Sequence, residues 1–128
     1  MDRIGSVFTL QEAKVITMSI LEDVKKFIPI PVEDDSFDTA LIMHINNLFF
    51  ELMQLGVGPA TIPFTIQNDS EWSEFECLPH QLETVKFFIC AKTKLQFDTP
   101  TSGAVVQALK ETVEEAETRL HWNQDYGT

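Results

Sequence analysis

The residues of this chain that could do chemistry are three histidines, two cysteines, one acidic run and one glycine pair. His44, His80 and His121 stand far apart, and none has a second His, Cys or Asp at the spacing that holds a metal ion. They read as surface or helix-face histidines. Glu33-Asp34-Asp35-Ser36-Phe37-Asp38 is dense in carboxylates but lacks the glycine and the distal glutamate of a calcium loop, so it reads as solvated linker. Gly56-Val57-Gly58 has neither the third glycine of a dinucleotide fingerprint nor a strand before it, and reads as a helix stop. Cys77 and Cys90 have no base beside them and no metal spacing, which predicts two free thiols. No serine sits in a nucleophile elbow. The expectation is a chain with no catalytic residue, no metal and no cofactor, whose role is binding or structural.

Charge narrows the class of partner. The 128 residues carry 20 acidic and 9 basic side chains, a formal net charge of −11. Such a surface repels free nucleic acid and anionic membrane and favours basic or neutral partners. Lys25-Lys26, Lys86, Lys92, Lys94 and Lys110 are too few against the acids for a nucleic-acid groove. No apolar run approaches the roughly 20 residues of a membrane span. Met1-Asp2-Arg3-Ile4-Gly5 lacks the basic and apolar regions of a signal peptide, so a chain made and kept in the cytoplasm is expected.

Hydrophobic periodicity places the elements. Leu10 to Phe27 reads as a helix with Thr9 as a possible N-cap, stopped by Pro29 and Pro31. A second helix is predicted from Phe37 to Leu55, with Ser36 as N-cap. Its face is Leu41, Ile42, Ile45, Leu48, Phe49 and Leu52, and Gly56 ends it as a left-handed residue. Between residues 61 and 76 the period shortens to two: Ile62, Phe64 and Ile66 alternate, turn residues follow, and Glu71 to Phe75 alternates again, which predicts a β-hairpin or hairpin-like loop. A third helix opens at Pro79 and runs to Phe97. Its middle, Phe87-Phe88-Ile89-Cys90-Ala91, has no polar side, so it must be the centre of the bundle or face another subunit as well. After the turn Asp98-Thr99-Pro100-Thr101-Ser102, a fourth helix from Gly103 to about Trp122 carries the stripe Val106, Leu109, Val113, Ala116 and Leu120.

The expected fold is mainly α: a small bundle of about four helices with one β-hairpin or hairpin-like loop. It forms a single domain over 1–128, with an N-terminal arm (1–14), a bundle (15–120) that carries the hairpin (61–76), and a C-terminal tail (121–128).

Certain linked motifs go further. Phe37-Asp38 precedes a helix holding His44-Ile45-Asn46, and Gln54-Leu55-Gly56-Val57-Gly58-Pro59 and Trp72-Ser73-Glu74-Phe75 follow. Then come Val85-Lys86, Lys92-Thr93-Lys94-Leu95, Phe97-Asp98-Thr99-Pro100-Thr101-Ser102, and a closing helix with Glu117 and Arg119-Leu120. This pattern resembles the head–tail connector (adaptor) proteins of tailed bacteriophages over roughly residues 15–122, and the Phe97–Ser102 turn is its most specific part. The chain departs from it at Thr99, where a second proline is expected, at Thr118, where a tryptophan is expected, and in the extra arm 1–14.

The resemblance implies a structural virion protein of the head–tail neck, made in the bacterial host cytoplasm. Its subunits form a homo-oligomeric, usually dodecameric, ring beneath the portal protein. The ring extends the channel through which genomic DNA passes without specific binding, and it receives a stopper or tail-completion protein. Connector C-termini engage the portal, and large aromatics make good interface anchors. His121, Trp122, Asn123, Gln124 and Tyr126 are therefore expected to dock there. Phe64, Ile66, Asn68 and Trp72 of the hairpin are expected to contact a neighbouring subunit or the tail side. Composition alone also allows a small acidic regulator or inhibitor that binds a basic partner.

Overall fold

The computed structural model describes residues 19–126, with side chains as far as His121. Four α-helices organise these residues: α1 (Ile20–Phe27), α2 (Asp38–Gln54), α3 (Leu82–Phe97) and α4 (Gly103–Tyr126). Single 3-10 turns at Trp72–Glu74 and Pro79–Gln81 lie between α2 and α3.

α3 is the centre that its apolar middle requires. α1, α2 and α4 all pack on it, and α4 scarcely touches the other two. Val85, Phe88, Ile89 and Ala91 have no exposed surface, and Cys90 is buried beside them. Facing them are Ile20, Leu21 and Val24 of α1, Leu41, Ile45, Leu48, Phe49 and Leu52 of α2, and Val113 and Leu120 of α4. The α4 stripe is buried at Val113, Ala116 and Leu120 but only half-buried at Val106 and Leu109.

The end of α2 follows its sequence. Gly56 is left-handed at φ 87°. The Val57 amide donates to the Leu52 carbonyl at 2.8 Å and the Gly56 amide to the Met53 carbonyl at 3.0 Å. These two bonds close a Schellman motif that folds Val57 back into the core. The α3–α4 turn is also tied down: the Asp98 amide reaches the Lys94 carbonyl at 2.8 Å, and Thr99 Oγ1 donates to the Leu95 carbonyl at 2.6 Å.

Five expectations need correction or narrowing. First, α1 does not run through from Leu10. Ser19 is extended (φ −68°, ψ 159°) and forms a capping box with Glu22, each side chain accepting the other's amide at 3.1 Å. A helix is thereby started at Ile20. Thr9, Leu10 and the arm 1–14 lie outside the described residues.

Second, the acidic linker is not simply solvated, because it wraps a buried cation. Lys25 is 2 % exposed, and its Nζ donates to the carbonyls of Val32 (3.2 Å) and Asp34 (2.8 Å). The same ammonium pairs with the Asp38 carboxylate. Third, Ser36 is not the N-cap of α2. Its amide donates to Asp34 Oδ1 at 3.0 Å, Phe37 occupies the cap position without a side-chain hydrogen bond, and the first turn is held through Asp38.

Fourth, there is no β-hairpin at 61–76. Among the described residues the β-pairing is a single isolated bridge, Ser19 with Glu71. The donors of this segment are used elsewhere. Pro63 has none, Ile66 donates to Asn46 Oδ1 of α2 at 2.7 Å, and Gln67 donates to Ser70 Oγ at 2.8 Å. The Ser70 carbonyl accepts from Ile20, and residues 72–74 coil into a 3-10 turn. Phe64 and Ile66 turn inward while Ile62 stays exposed, and Trp72 and Phe75 are buried three residues apart, so the two-residue alternation does not mark paired strands.

Fifth, α4 extends beyond Trp122 to Tyr126, so most of the expected tail is helical backbone.

Candidate functional site

The loop 61–76 is built from within. Ile66 and Trp72 are buried and Phe64 is half-buried. The Phe49 and Phe75 rings meet Phe64 edge-to-face with centroids 4.9 and 5.2 Å away. Trp72 Nε1 donates to Asp23 Oδ2 at 2.7 Å, and Lys86 Nζ sits 5.9 Å over its ring. Gly58, at φ +88°, lets the Phe75 ring approach to 2.6 Å from the place a Cβ would occupy. Three of the four residues expected to contact a neighbour thus shape the loop from inside, while Asn68 lies on its surface. Ile62, in the same loop, is 73 % exposed.

The expected docking residues fall on the last turns of α4. His121 is exposed, and Asn123, Gln124, Tyr126 and Trp122 continue the same helix. Their side chains lie outside the described residues.

Two further surfaces stand out. The outward face of α2 exposes Phe37, Ala40, Met43, Asn47 and Phe50. α2 contains no Lys or Arg, and its two acids are both engaged inside the subunit: Asp38 with Lys25, and Glu51 with Lys92 at 3.0 Å. The signal was available as a helix with an apolar residue, Phe50, off its main face and almost no charge. The second surface is an open groove of about 280 Å³ between α3 and α4, lined by Glu83, Thr84, Phe87, Thr112, Glu115, Ala116 and Arg119. Its charges are also balanced locally, Lys86 with Glu83 at 3.4 Å and Arg119 with Glu115 at 3.5 Å.

The groups once considered for chemistry are dispersed. Among the described residues no three of His, Cys, Asp and Glu gather to hold a metal ion. His44 is half-buried, edge-on to Phe97 with ring centroids 5.4 Å apart, and its Nε2 is enclosed without a hydrogen-bond partner. Burial holds its pKa below the ordinary value, against the pull of the Glu51 carboxylate; the Lys92 charge lowers it further and a hydrogen bond with the Lys92 backbone raises it. Both cysteines are free thiols. Burial raises the Cys77 pKa and pushes that of Cys90 up to about 12, with Asp23 adding to it and Lys86 opposing it.

Among the described residues no titrating centre is gathered, and the distinguishing features are surfaces presented by a helical core. Residues 20–127 match the phage connector protein family. The chain belongs to that family. The match spans all four helices, so the fold described here is the connector fold of this chain and its role is that of a phage structural connector. Membership also points to other head and tail proteins as the connector's partners and to the virion as its place. Among the described residues no helix is long and apolar enough to cross a membrane. No curated protein and no solved structure matches the connector.

Proposed function

We propose that this connector is a head–tail adaptor. It assembles as a homo-oligomeric, dodecameric ring under the portal, extends the DNA channel and receives the stopper or tail-completion protein. The observation that carries this reading is the family match over residues 20–127. The physical character of the surface supports it. Glu111 and Glu114 are exposed along α4, and a negative wall lets DNA pass without adhering.

In this reading the end of α4 is the portal-docking element, through His121, Trp122, Asn123, Gln124 and Tyr126. The loop around Asn68 meets a neighbour or the tail side, with Phe64, Ile66 and Trp72 fixing its shape. The acidic-regulator reading has composition alone behind it. The test is co-assembly of the full chain with the portal of its phage, viewed by electron microscopy. A ring stacked on the portal is expected, and a chain that never joins the portal overturns the proposal. Truncation after Leu120 should abolish joining and leave the melting temperature of the free chain unchanged. Normal joining by the truncated chain would remove the docking role of the C-terminus.

A further inference from the structure

We propose that the outward face of α2 in one copy seats in the α3–α4 groove of a second copy, with Met43 and Phe50 as the inserted side chains. The inference rests on the ring reading above and names the contact that would build it.

Electrostatics selects the partner. Copies that each carry a formal charge of −11 repel one another over most of their surfaces. They can approach closely only where each is locally neutral, and these two surfaces are such places. The acids of α2 are spent on Lys25 and Lys92, and the groove pairs Glu83 with Lys86 and Glu115 with Arg119. A basic partner would instead be drawn to the acidic stretch of α4.

Shape agrees with charge. Met43 is 68 % exposed and Phe50 40 %. Seven residues apart on one helix, they project about 10.5 Å from each other. The α4 wall of the groove, from Thr112 to Arg119, spans the same seven-residue step. Its lining is apolar at Phe87 and Ala116, and Phe27 meets the Phe87 ring edge-to-face at 6.4 Å. Asn47 lies between the two inserted residues, and its amide can hydrogen-bond the Glu115–Arg119 pair at the rim.

Topology agrees as well. α2 and α4 both rest on α3 and scarcely meet, so the two surfaces lie on different flanks of the subunit. A contact between unlike patches leaves each copy with one patch used and one free, and it repeats until a ring closes.

The test uses the full chain with Cys77→Ser, assembled on the portal of its phage. One version carries Met43→Cys and another Thr112→Cys, and a short bismaleimide is added. Mixing the two is expected to give a cross-linked pair that neither gives alone, and the chain with both substitutions should give a ladder of multimers. Met43→Asp should abolish the ring without lowering the melting temperature, because residue 43 is exposed in the free subunit. If rings form but Met43→Cys cross-links only to itself, or the mixed pair never forms, the α2–groove contact is wrong and the adaptor reading stands. If the unaltered chain forms no ring on the portal, the adaptor reading falls and this inference with it.

Discussion

Replacing Lys25 with Met tests the logic of the clasp between α1 and α2. Lys25 is 2 % exposed and its ammonium serves two carbonyls, those of Val32 and Asp34, besides the Asp38 carboxylate. Methionine can fill the same channel but donates nothing. The variant leaves one carboxylate and two carbonyls without their cation. Breaking a buried pair by removing one partner costs about 3–5 kcal/mol. The Asp38 side chain is 24 % exposed, and its Oδ1 meets the ammonium as an ion pair without hydrogen-bond alignment. Water can therefore relieve part of the loss, and the lower end, about 3 kcal/mol, is expected. For a domain of this size that corresponds to a fall in melting temperature of roughly 10–15 °C. Adding Asp38→Leu should recover much of it, because the orphaned carboxylate is then gone. Thermal and urea melts followed by far-ultraviolet circular dichroism provide the measurement. A loss under about 1 kcal/mol, typical of a surface site, would show that Lys25 does not hold the linker.

Other outcomes follow from single residues. Gly58→Ala must place a Cβ at positive φ and against the Phe75 ring, so a loss of about 2–4 kcal/mol is expected, and an unchanged urea midpoint would contradict the geometry. Leu120→Ala should cost about 3–5 kcal/mol and half-buried Leu109→Ala about 1–2, and equal losses would mean that the α4 stripe is buried evenly. The unfolded His44 side chain takes a proton near 6.5 and the folded one only at lower pH. Stability should therefore fall as pH drops from 7 through 6.5 toward the folded value and level off below it, and His44→Leu should lose that dependence. Cys90 should resist iodoacetamide at pH 8 until urea is added, while rapid labelling of the folded chain at Cys90 would refute its burial.

What could be read from the sequence was local. Apolar spacing located α2, α3 and α4 to within a few residues, because a core-facing stripe needs the same repeat wherever it lies. The Gly56-Val57 stop was legible because its geometry depends on a left-handed residue and its immediate neighbours. Errors arose where distant partners decided. Residues 61–76 alternate like strands, but Asn46 of α2 and Ile20 of α1 take up hydrogen bonds that a hairpin would use. The acidic linker looked solvated because nothing nearby marks Lys25, nine residues before Asp34 and thirteen before Asp38, as its buried partner. At Ser19 the signal was present, since Ser19 and Glu22 have capping-box spacing, but the apolar run before it masked the break. The neutral α2 face was half legible: Phe50 stood off the main face, but the exposure of Met43 beside it and the pairing of Asp38 and Glu51 could only be seen once folded.

The central place of α3 also bears on how the chain comes to be folded. Synthesis delivers α1 and α2 first, and each buries its apolar side largely against a helix that begins at Leu82. Until that segment leaves the ribosome, Ile20, Val24, Leu41, Ile45, Phe49 and Leu52 have no complete core to enter. α3 and α4, by contrast, are neighbours in sequence joined by a short turn, and closing so small a loop costs little entropy. Folding should therefore proceed against the direction of translation: the C-terminal hairpin forms quickly once released, and the two earlier helices then settle on it. A chain ending before α3 would keep its apolar faces exposed to whatever else the cell offers.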